Sequence, residues 1–163
     1  MAADAYAFHP MSQSDLPRVR RWLEQPEVAA WWGDPDTQYA LVSGDLSEPA
    51  MAQYIVAFGE RPFAYLQCYD PGVWPAGGLG AQPPGTRGID QFIGEPELIG
   101  RGHGSAFMRS FVDRLLRTGT PRVVTDPAQA NRRAIRACEK AGFRKERLVE
   151  TSDGQAILMV REA

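Results

Sequence analysis

Two aspartates stand in segments whose other residues are mostly apolar, and both are suited by residue type to proton transfer. Asp90 lies within the run RGIDQFI, and Asp126 ends the run VVTD. An ionised carboxylate in a central strand is costly unless it is paired, so its presence needs a reason. A functional carboxylate is one interpretation of each. The alternatives are a structural salt bridge at Asp90 and a strand-end cap at Asp126.

A second candidate site is a group of three glycines at alternate positions, Gly100, Gly102 and Gly104, followed at once by an amphipathic run. Glycine lets a ligand approach the backbone closely, and a helix N-terminus presents unpaired N–H groups with partial positive charge. A strand, a glycine-rich turn and a helix together favour an anion such as a phosphate. The run GRGHGS lacks the Gly-Lys-Ser/Thr of a P-loop and the third glycine of a dinucleotide fingerprint. Glycines needed only for turn geometry are the alternative.

Length and composition limit the setting of this chemistry. The chain has 163 residues, a formal net charge of −2, 44% hydrophobic and 23% charged residues, and two cysteines. These values predict one domain over residues 1–163, with no basic surplus that would favour nucleic acid. We find no secretory signal, no apolar run long enough for a bilayer and no cysteine–histidine cluster for a metal. We therefore expect a cytoplasmic, metal-free protein, with no membrane association and a monomer preferred.

The hydrophobic patterns predict the elements that must position these residues. Strands are expected over 5–11, 52–59, 62–70, 87–94, 121–126, 143–151 and 155–162. Helices are expected over 12–25, 105–118 and 131–142, with a short turn closed by Trp31, Trp32 and Gly33. The segment 34–50 is predicted to be mostly loop with some helix, and 70–86, rich in glycine and proline, a long irregular loop. The order predicts an α/β or α+β domain, a mixed sheet with two helical crossovers.

Two motifs in this order resemble the GNAT superfamily of acyl-CoA-dependent N-acetyltransferases. The run ELIGRGHGSAF is similar to the superfamily's pyrophosphate loop, although Ile99 stands where glutamine or arginine is commonest. The run NRRAIRACEKAGFRK is similar to its second signature. Four further runs, AAWWGD, RGIDQFIG, TDPAQANRRAIRACEKAGF and SDGQAILMV, resemble the aminoglycoside 6′-N-acetyltransferases. The resemblance is dense over 87–160, sparse over 33–60 and absent from the 70–86 loop.

The resemblance implies a GNAT-type fold, a mostly antiparallel central sheet with a splayed strand pair flanked by helices. It also implies acetyl-CoA as co-substrate, without a metal. We expect the glycine loop to hold the diphosphate and the strand over 87–94 to hold the pantetheine arm. Asn131 is expected on the pantetheine or as a helix N-cap, and His103 on the surface near phosphate. The predicted cofactor-binding residues are Ile89, Gln91, Phe92, Ile99, Gly100, Arg101, Gly102, His103, Gly104, Ser105 and Asn131.

The resemblance places Asp90 in the acceptor site as amine anchor and base, acting through a water because a carboxylate of ordinary pKa is a weak base. It places Asp126 there as a second contact to a polycationic acceptor. The other predicted acceptor contacts are Trp31, Trp32, Asp34, Asp70 and Trp74. The two neighbouring tryptophans have core packing as their alternative. The 70–86 loop offers few of the acidic and aromatic residues that the resembled enzymes have there.

Cys138 stands where the resembled enzymes have a tyrosine that protonates the departing thiolate. A thiol could serve as that acid, or Cys138 could be a small core residue. The function implied is transfer of acetyl from acetyl-CoA to a primary amine of a small polycation, the 6′-amine of an aminoglycoside. The alternatives are a siderophore-type hydroxylamine or protein-amine acyltransferase, and a weakly catalytic acyl-CoA-binding protein.

Overall fold

The computed structural model describes residues 5–73 and 79–163, and its centre is one seven-stranded sheet in the order β1-β2-β3-β4-β5-β7-β6. Every pair of neighbours is antiparallel except β4 and β5, which run parallel. The seven predicted strands are confirmed, each to within about two residues. They are β1 Tyr6–Pro10, β2 Met51–Phe58, β3 Arg61–Tyr69, β4 Arg87–Ile93, β5 Arg122–Thr125, β6 Arg144–Thr151 and β7 Gly154–Glu162.

Among the described residues, five α-helices cover the two faces of this sheet. They are α1 Leu16–Leu23, α2 Pro26–Trp32, α3 Pro35–Asp45, α4 His103–Arg117 and α5 Arg132–Lys140. A short turn before Gly33 and mostly loop over 34–50 were expected, but Pro26–Trp32 and Pro35–Asp45 are helical, so most of both segments is helix. Pro26 and Pro35 each occupy a first helical position, where the missing N–H costs nothing, so these prolines begin helices.

The parallel pair β4 and β5 is splayed, as the resemblance implied. Only two residue pairs are in register, at the start of β4, where Arg87 faces Val123 and Gly88 faces Val124. Strand β4 continues to Ile93 with no further register pair to β5, and beyond Gly88 the Thr125 hydroxyl donates to the Ile89 carbonyl at 3.0 Å. The two strands therefore diverge and leave an opening in the middle of the sheet.

Two glycines of the β4 segment are required by close packing of aromatic rings. A Cβ placed on Gly94 would lie 2.1 Å from the Trp22 ring, and one on Gly88 would lie 2.3 Å from the Tyr69 ring. Neither distance is possible for a real Cβ atom. The Trp22 ring of α1 thus packs directly on the backbone just after β4, and the Tyr69 ring of β3 packs on its start. Asp90 lies on β4 between these two contacts.

The core has two main parts, one on each face of the sheet. On one face, α4 packs its apolar stripe, including Phe107 and Phe111, against the strands. On the other, Val19, Trp22 and Leu23 of α1 pack with side chains of β2, β3 and β4. Because helices cover both faces of the sheet, the gap between β4 and β5 is where a ligand can reach the centre of the sheet. No helix within residues 5–73 and 79–163 is both long and apolar enough to cross a membrane.

Candidate active site

Two neighbouring cavities open at the splay and share one wall. The first, here the acidic cavity, is about 360 Å³, and the second, the glycine-loop cavity, is about 710 Å³. The shared wall consists of Trp31, Trp32, Gln91, Asn131 and Ala134. Molecules bound in the two cavities therefore meet at residues of β4, α2 and α5.

The glycine-loop cavity has a backbone built for close approach. Gly100 and Gly102 have φ of 76° and 85°, a left-handed conformation that side chains rarely adopt, and a Cβ on either would meet open space. Gly102 is also the N-cap of α4, and no side chain caps that helix. The first N–H groups of α4 thus face the cavity beside Gly104 and Ser105, which suits an anion.

The opposite wall of this cavity is cationic. It is formed by four basic side chains of α5, Arg132, Arg133, Arg136 and Lys140, against one acid, Glu27. The sequence analysis did not identify these residues as part of the site. Their spacing of three and four residues, which places them on one helix face, was the signal available. The glycine loop and α5 together fit a long anionic ligand such as the phosphates of CoA.

Asp90 lies on β4 at the acidic cavity, and its carboxylate is held from one side. Gln67 Nε2 donates a hydrogen bond to Asp90 Oδ2 at 2.9 Å. Burial raises the pKa of Asp90 above its ordinary value, and the hydrogen bond from Gln67 opposes that rise. The sequence analysis assumed an ordinary pKa for this carboxylate. A raised pKa makes Asp90 a stronger proton acceptor than that assumption allowed.

Asp126 directly follows β5 and lines the same cavity. Burial, and secondarily the negative charge of Asp90, raise the pKa of Asp126 to about 7. The structure thus brings together the two carboxylates that the sequence analysis selected. Two neighbouring carboxyls whose pKa values are both raised suit binding and deprotonating an amine.

The tryptophan pair has both of the roles considered in the sequence analysis. Trp32 packs edge-on against Phe92 and Tyr65, with ring centroids 4.9 and 6.0 Å apart, and so belongs to the core. Trp31 is 51% exposed. Both rings line both cavities, so Trp32 is core anchor and cavity wall together, whereas Trp31 is cavity wall.

Cys138 and Asn131 come from α5 and have clear structural roles. Cys138 lines the acidic cavity but is only 3% exposed, and burial raises the pKa of its thiol to about 12. Asn131 is the N-cap of α5, where its Oδ1 accepts a hydrogen bond from Ala134 N at 3.2 Å. Asn131 also lines both cavities, so capping does not remove it from the site.

Several predicted site residues lie away from both cavities. Asp34 caps α3 by accepting hydrogen bonds from Thr37, and Asp70 accepts from the N–H of Gly72 in a turn. Their local backbone partners explain these positions. Of the remaining predictions, Ile89 is fully buried, Arg101 is exposed but lines neither cavity, and Trp74 lies outside the described residues.

The expectation that His103 lies on the surface is wrong. His103 is 4% exposed, and its Nδ1 is 2.8 Å from the Tyr6 hydroxyl. The Phe58 and Phe63 rings pack against it, with centroids 4.8 and 5.3 Å away. Burial lowers the pKa of His103, so the ring favours the neutral form. Its side chain therefore anchors the start of α4 in the core, and it is the backbone there that faces the cavity.

The acidic cavity also has residues that the sequence analysis missed. They include Gln38 of α3, Gln67 of β3, Thr125 of β5, and Thr151, Asp153 and Gln155 of the β6–β7 hairpin. These side chains come from five elements that only the topology of the sheet brings together. The described residues that line this cavity include three carboxylates, at positions 90, 126 and 153, and no lysine or arginine.

Comparison with known proteins gives a consistent result. The family described as acetyltransferase (GNAT) domain matches residues 12–151. The aminoglycoside N(6′)-acetyltransferase type 1 of Klebsiella pneumoniae is 31% identical over 97% of this chain and 83% of its own length. The solved structure of AAC(6′)-Ib in complex with ribostamycin and coenzyme A superposes with a TM-score of 0.84 at 31% identity, covering 98% of this chain and 94% of that one. The structure of the same enzyme with coenzyme A and kanamycin gives 0.82 at 31% identity, covering 96% and 94%.

Proposed function

Since the chain belongs to the GNAT acetyltransferases, we propose that it transfers the acetyl group of acetyl-CoA to the 6′-amine of aminoglycosides. The family makes it an acetyl-CoA-dependent N-acetyltransferase, and the acceptor is the proposed part. Acetylation removes a positive charge from the drug, so the proposed cellular role is antibiotic resistance. The relatives that carry 6′-N-acetyltransferase in their names support this choice of acceptor and position.

The observation that carries the proposal is the meeting of two cavities of opposite charge. One has a glycine loop and four cations, and the other has three carboxylates and two tryptophan faces. An anionic cofactor and a polycationic acceptor are drawn to different cavities by Coulomb attraction. Their reacting ends then meet at the shared wall, beside Asp90 and Gln91.

The residues divide the chemistry between them. Acetyl-CoA supplies the acetyl group as a thioester, held by the glycine loop and α5. Asp90, acting through a water, takes the proton of the acceptor ammonium, and its raised pKa suits that task. The neutral amine nitrogen forms the new C–N bond as the C–S bond breaks and the sulfur leaves with the electron pair, and the second nitrogen proton passes through solvent to the departing thiolate. Asp126 holds positive charge of the acceptor near the reaction centre.

Cys138 has a smaller part in this proposal. Its thiol, with a pKa of about 12, stays protonated at neutral pH and is poorly matched to a departing thiolate. No tyrosine lies among the described residues that line either cavity. We assign Cys138 to packing at the cavity floor, and the thiolate of CoA leaves without an acid from this position.

The test is acetyl-CoA-dependent thiol release with two aminoglycosides, one with a 6′-amine and one with a 6′-hydroxyl. Turnover with the first compound alone is the expected result, and mass spectrometry should then find one added acetyl group. A blank without acceptor corrects for reaction of the two cysteines. Absence of turnover on both, with acetyl-CoA binding intact, would refute the acceptor and direct attention to hydroxylamines and protein amines.

We also propose that residues 1–163 form one domain that acts as a cytoplasmic monomer without nucleic acid. All seven strands belong to one sheet, and the chain has no basic surplus. Sedimentation of the purified protein across a hundredfold concentration range tests the monomer. A mass that doubles with concentration would contradict it.

A further inference from the structure

A line of hydrogen bonds leads from Asp90, at the acidic cavity, through Gln67 of the cavity wall into the core. Gln67 donates to Asp90, and the Tyr65 hydroxyl donates to Gln67 Oε1 at 2.7 Å. Gln53 Nε2 in turn donates to the Tyr65 oxygen at 3.0 Å and to the Val42 carbonyl of α3 at 2.9 Å. Four hydrogen bonds thus connect the carboxylate to a helix through β3 and β2.

The strand register explains why these groups meet. Gln53 of β2 faces Gln67 of β3, and Gln67 faces Asp90 of β4, so the three residues form a row straight across the sheet. Tyr65 lies two residues before Gln67 and therefore on the same face. The row lies on the face that α1, α2 and α3 cover, within an otherwise apolar cluster.

The direction of the hydrogen bonds is fixed at both ends. The Val42 carbonyl and the ionised Asp90 carboxylate can only accept, so each must face an N–H group of its glutamine. The Tyr65 hydroxyl then has one hydrogen to give, and Gln67 Oε1 receives it. With the amides turned the other way, an oxygen would face an oxygen at either end. Every donor in the line thus points toward Asp90, apart from the one N–H that anchors Gln53 to α3.

The Tyr65 hydroxyl cannot move away from this line. Tyr65 has no exposed surface, and its ring stacks on Phe92 at 5.3 Å with a 26° angle between the planes. The Trp32 ring closes its edge at 6.0 Å. Gln53 is 7% exposed. Buried polar groups in an apolar cluster are costly unless every partner is in place, so this line has one arrangement.

We propose that Gln67, Tyr65 and Gln53 are positioning residues that hold the Asp90 carboxylate in the orientation required for proton transfer. The proposal rests on the assignment of Asp90 as the base. Gln67 occupies Oδ2 and leaves Oδ1 for the acceptor or its water. The other end of the line is anchored on α3, the helix that brings Gln38 to the acidic cavity. The base and one wall of the acceptor site are thereby fixed to each other.

Two substitutions separate positioning from packing. Tyr65→Phe removes one hydroxyl and keeps the stacked ring, and Gln67→Leu removes the donor to Asp90 at similar size. Tyr54→Phe is the matched control, since Tyr54 lies on β2, packs against Phe111 on the opposite face and takes no part in the line. Thermal unfolding of all three variants verifies that they are folded at the assay temperature.

The decisive measurement is the pH profile of kcat/KM for the acceptor. Losing a hydrogen bond to the charged form of Asp90 moves the acid limb to higher pH, by about half a unit or more in Gln67→Leu. At pH 7, kcat should fall about tenfold in Gln67→Leu and about threefold in Tyr65→Phe, as expected for one lost hydrogen bond to a charged group and one further along the line. The KM for acetyl-CoA should stay within about twofold of wild type, because neither residue lines the glycine-loop cavity.

Other titratable groups lie near Asp90, and their titration must be distinguished from that of Asp90 in the pH profile. Asp126, Asp153 and Cys138 share its cavity, and Cys68, Tyr65 and Tyr69 lie near it on β3. Burial raises the pKa of each cysteine and tyrosine in this set, so none of them loses its proton near pH 7. Repeating the profiles in an Asp126→Asn background removes the neighbouring carboxyl whose pKa is raised by the charge of Asp90. The shift of the acid limb should persist there.

The outcomes distinguish this proposal from the assignment on which it rests. Loss of turnover in Asp90→Asn, with the shifted limb in Gln67→Leu and Tyr65→Phe, supports the base assignment and the positioning role. Loss of turnover in Asp90→Asn, with limbs that superpose on wild type in Gln67→Leu and Tyr65→Phe, overturns the positioning role alone. Full turnover in Asp90→Asn overturns the base assignment and the positioning role together.

Discussion

The two cavities of this chain have opposite charge although they share a wall of five residues. The glycine-loop cavity has four basic side chains and one acid, whereas the described lining of the acidic cavity has three acids and no lysine or arginine. The cations all come from one helix, α5, and the carboxylates come from β4, from the end of β5 and from the β6–β7 hairpin. The cations of one cavity thus come from a local segment, whereas the carboxylates of the other are brought together by the topology of the sheet.

This difference shows how a nearly neutral chain can bind two oppositely charged substrates. With a net charge of only −2, overall charge cannot attract either one, and local separation must do so. The cations of the glycine-loop cavity are exposed on α5, so their attraction for an anion is weakened by salt. The acidic cavity holds Asp90 and Asp126 partly buried, where burial raises the pKa of both carboxyls. Substitutions in the glycine-loop cavity should therefore change cofactor binding in a salt-dependent way, whereas substitutions in the acidic cavity should change turnover and its pH dependence.

The largest effect is expected from Asp90→Asn on the acidic side. An amide cannot take the ammonium proton, so kcat should fall by about 100- to 1000-fold. The KM for acetyl-CoA should change little, because Asp90 does not line the glycine-loop cavity. Steady-state kinetics with a 6′-amino aminoglycoside measure both. Glu48→Gln, an exposed acid away from both cavities, is the control. A fall of less than about fivefold would assign the proton to another group.

The sequence predicted those parts of the site that lie in short motifs, and it missed those that only the folded sheet brings together. The loop at Gly100 and Gly102 and the carboxylate of Asp90 were found because each stands in a short motif. Gln67 was missed because its partner, Asp90, lies 23 residues away and only the register of β3 and β4 brings them together. Helix α3 was missed because Val42 is its only fully buried residue, so it has no apolar periodicity to detect.

The prediction of a surface position for His103 is wrong for a related reason. A polar residue between two glycines of a loop suggests exposure, and nothing local indicates that Tyr6, 97 residues away, supplies a hydroxyl for its ring. The splayed sheet, in contrast, was expected from the resemblance alone. Strand boundaries were predicted well because alternation of apolar side chains is a local signal.

On the glycine-loop side, the double substitution Arg133→Ala with Arg136→Ala should raise the KM for acetyl-CoA by about tenfold. Two exposed charge contacts contribute on the order of 0.5–1 kcal/mol each, which gives this factor. The acceptor KM and kcat should stay near wild type, and raising the salt concentration should shrink the difference between variant and wild type. Arg21→Ala, an exposed arginine of α1 outside both cavities, is the control. A tenfold rise that persists at high salt would mean that the arginines act by packing and not by charge.

Asp126→Asn should give a smaller effect that depends on pH. Because the pKa of Asp126 is raised to about 7, its carboxylate becomes charged between pH 6 and 8 and binds the cationic acceptor more tightly over that range. The variant should lose this gain, so calorimetric affinities of the two proteins should match near pH 5.5 and differ several-fold at pH 8. A difference of equal size at both pH values would show that charge on Asp126 is not the cause.

The same substitution should affect stability with a defined sign. A carboxyl whose pKa is raised on folding binds its proton more tightly in the native state, so native stability falls as pH rises toward and through 7. Asp126→Asn removes that cost. Its Tm should exceed that of wild type at pH 8 and equal it near pH 4, as measured by thermal unfolding. A variant that is less stable at pH 8 would mean that the ionised carboxylate has a stabilising partner.

The smallest effect is expected from Cys138→Ala, at the floor of the acidic cavity. A thiol with a pKa of about 12 is a poor acid for a departing thiolate, so kcat should stay within about threefold of wild type at pH 7. Removing a buried sulfur should lower the free energy of unfolding by about 1 kcal/mol, which thermal unfolding measures as a drop of a few degrees. A loss of kcat above about 30-fold in a folded variant would instead make this thiol the proton donor. The two sides of the site would then differ less than proposed, because a group on α5, the helix of the cationic wall, would also take part in the proton transfers of the acidic cavity.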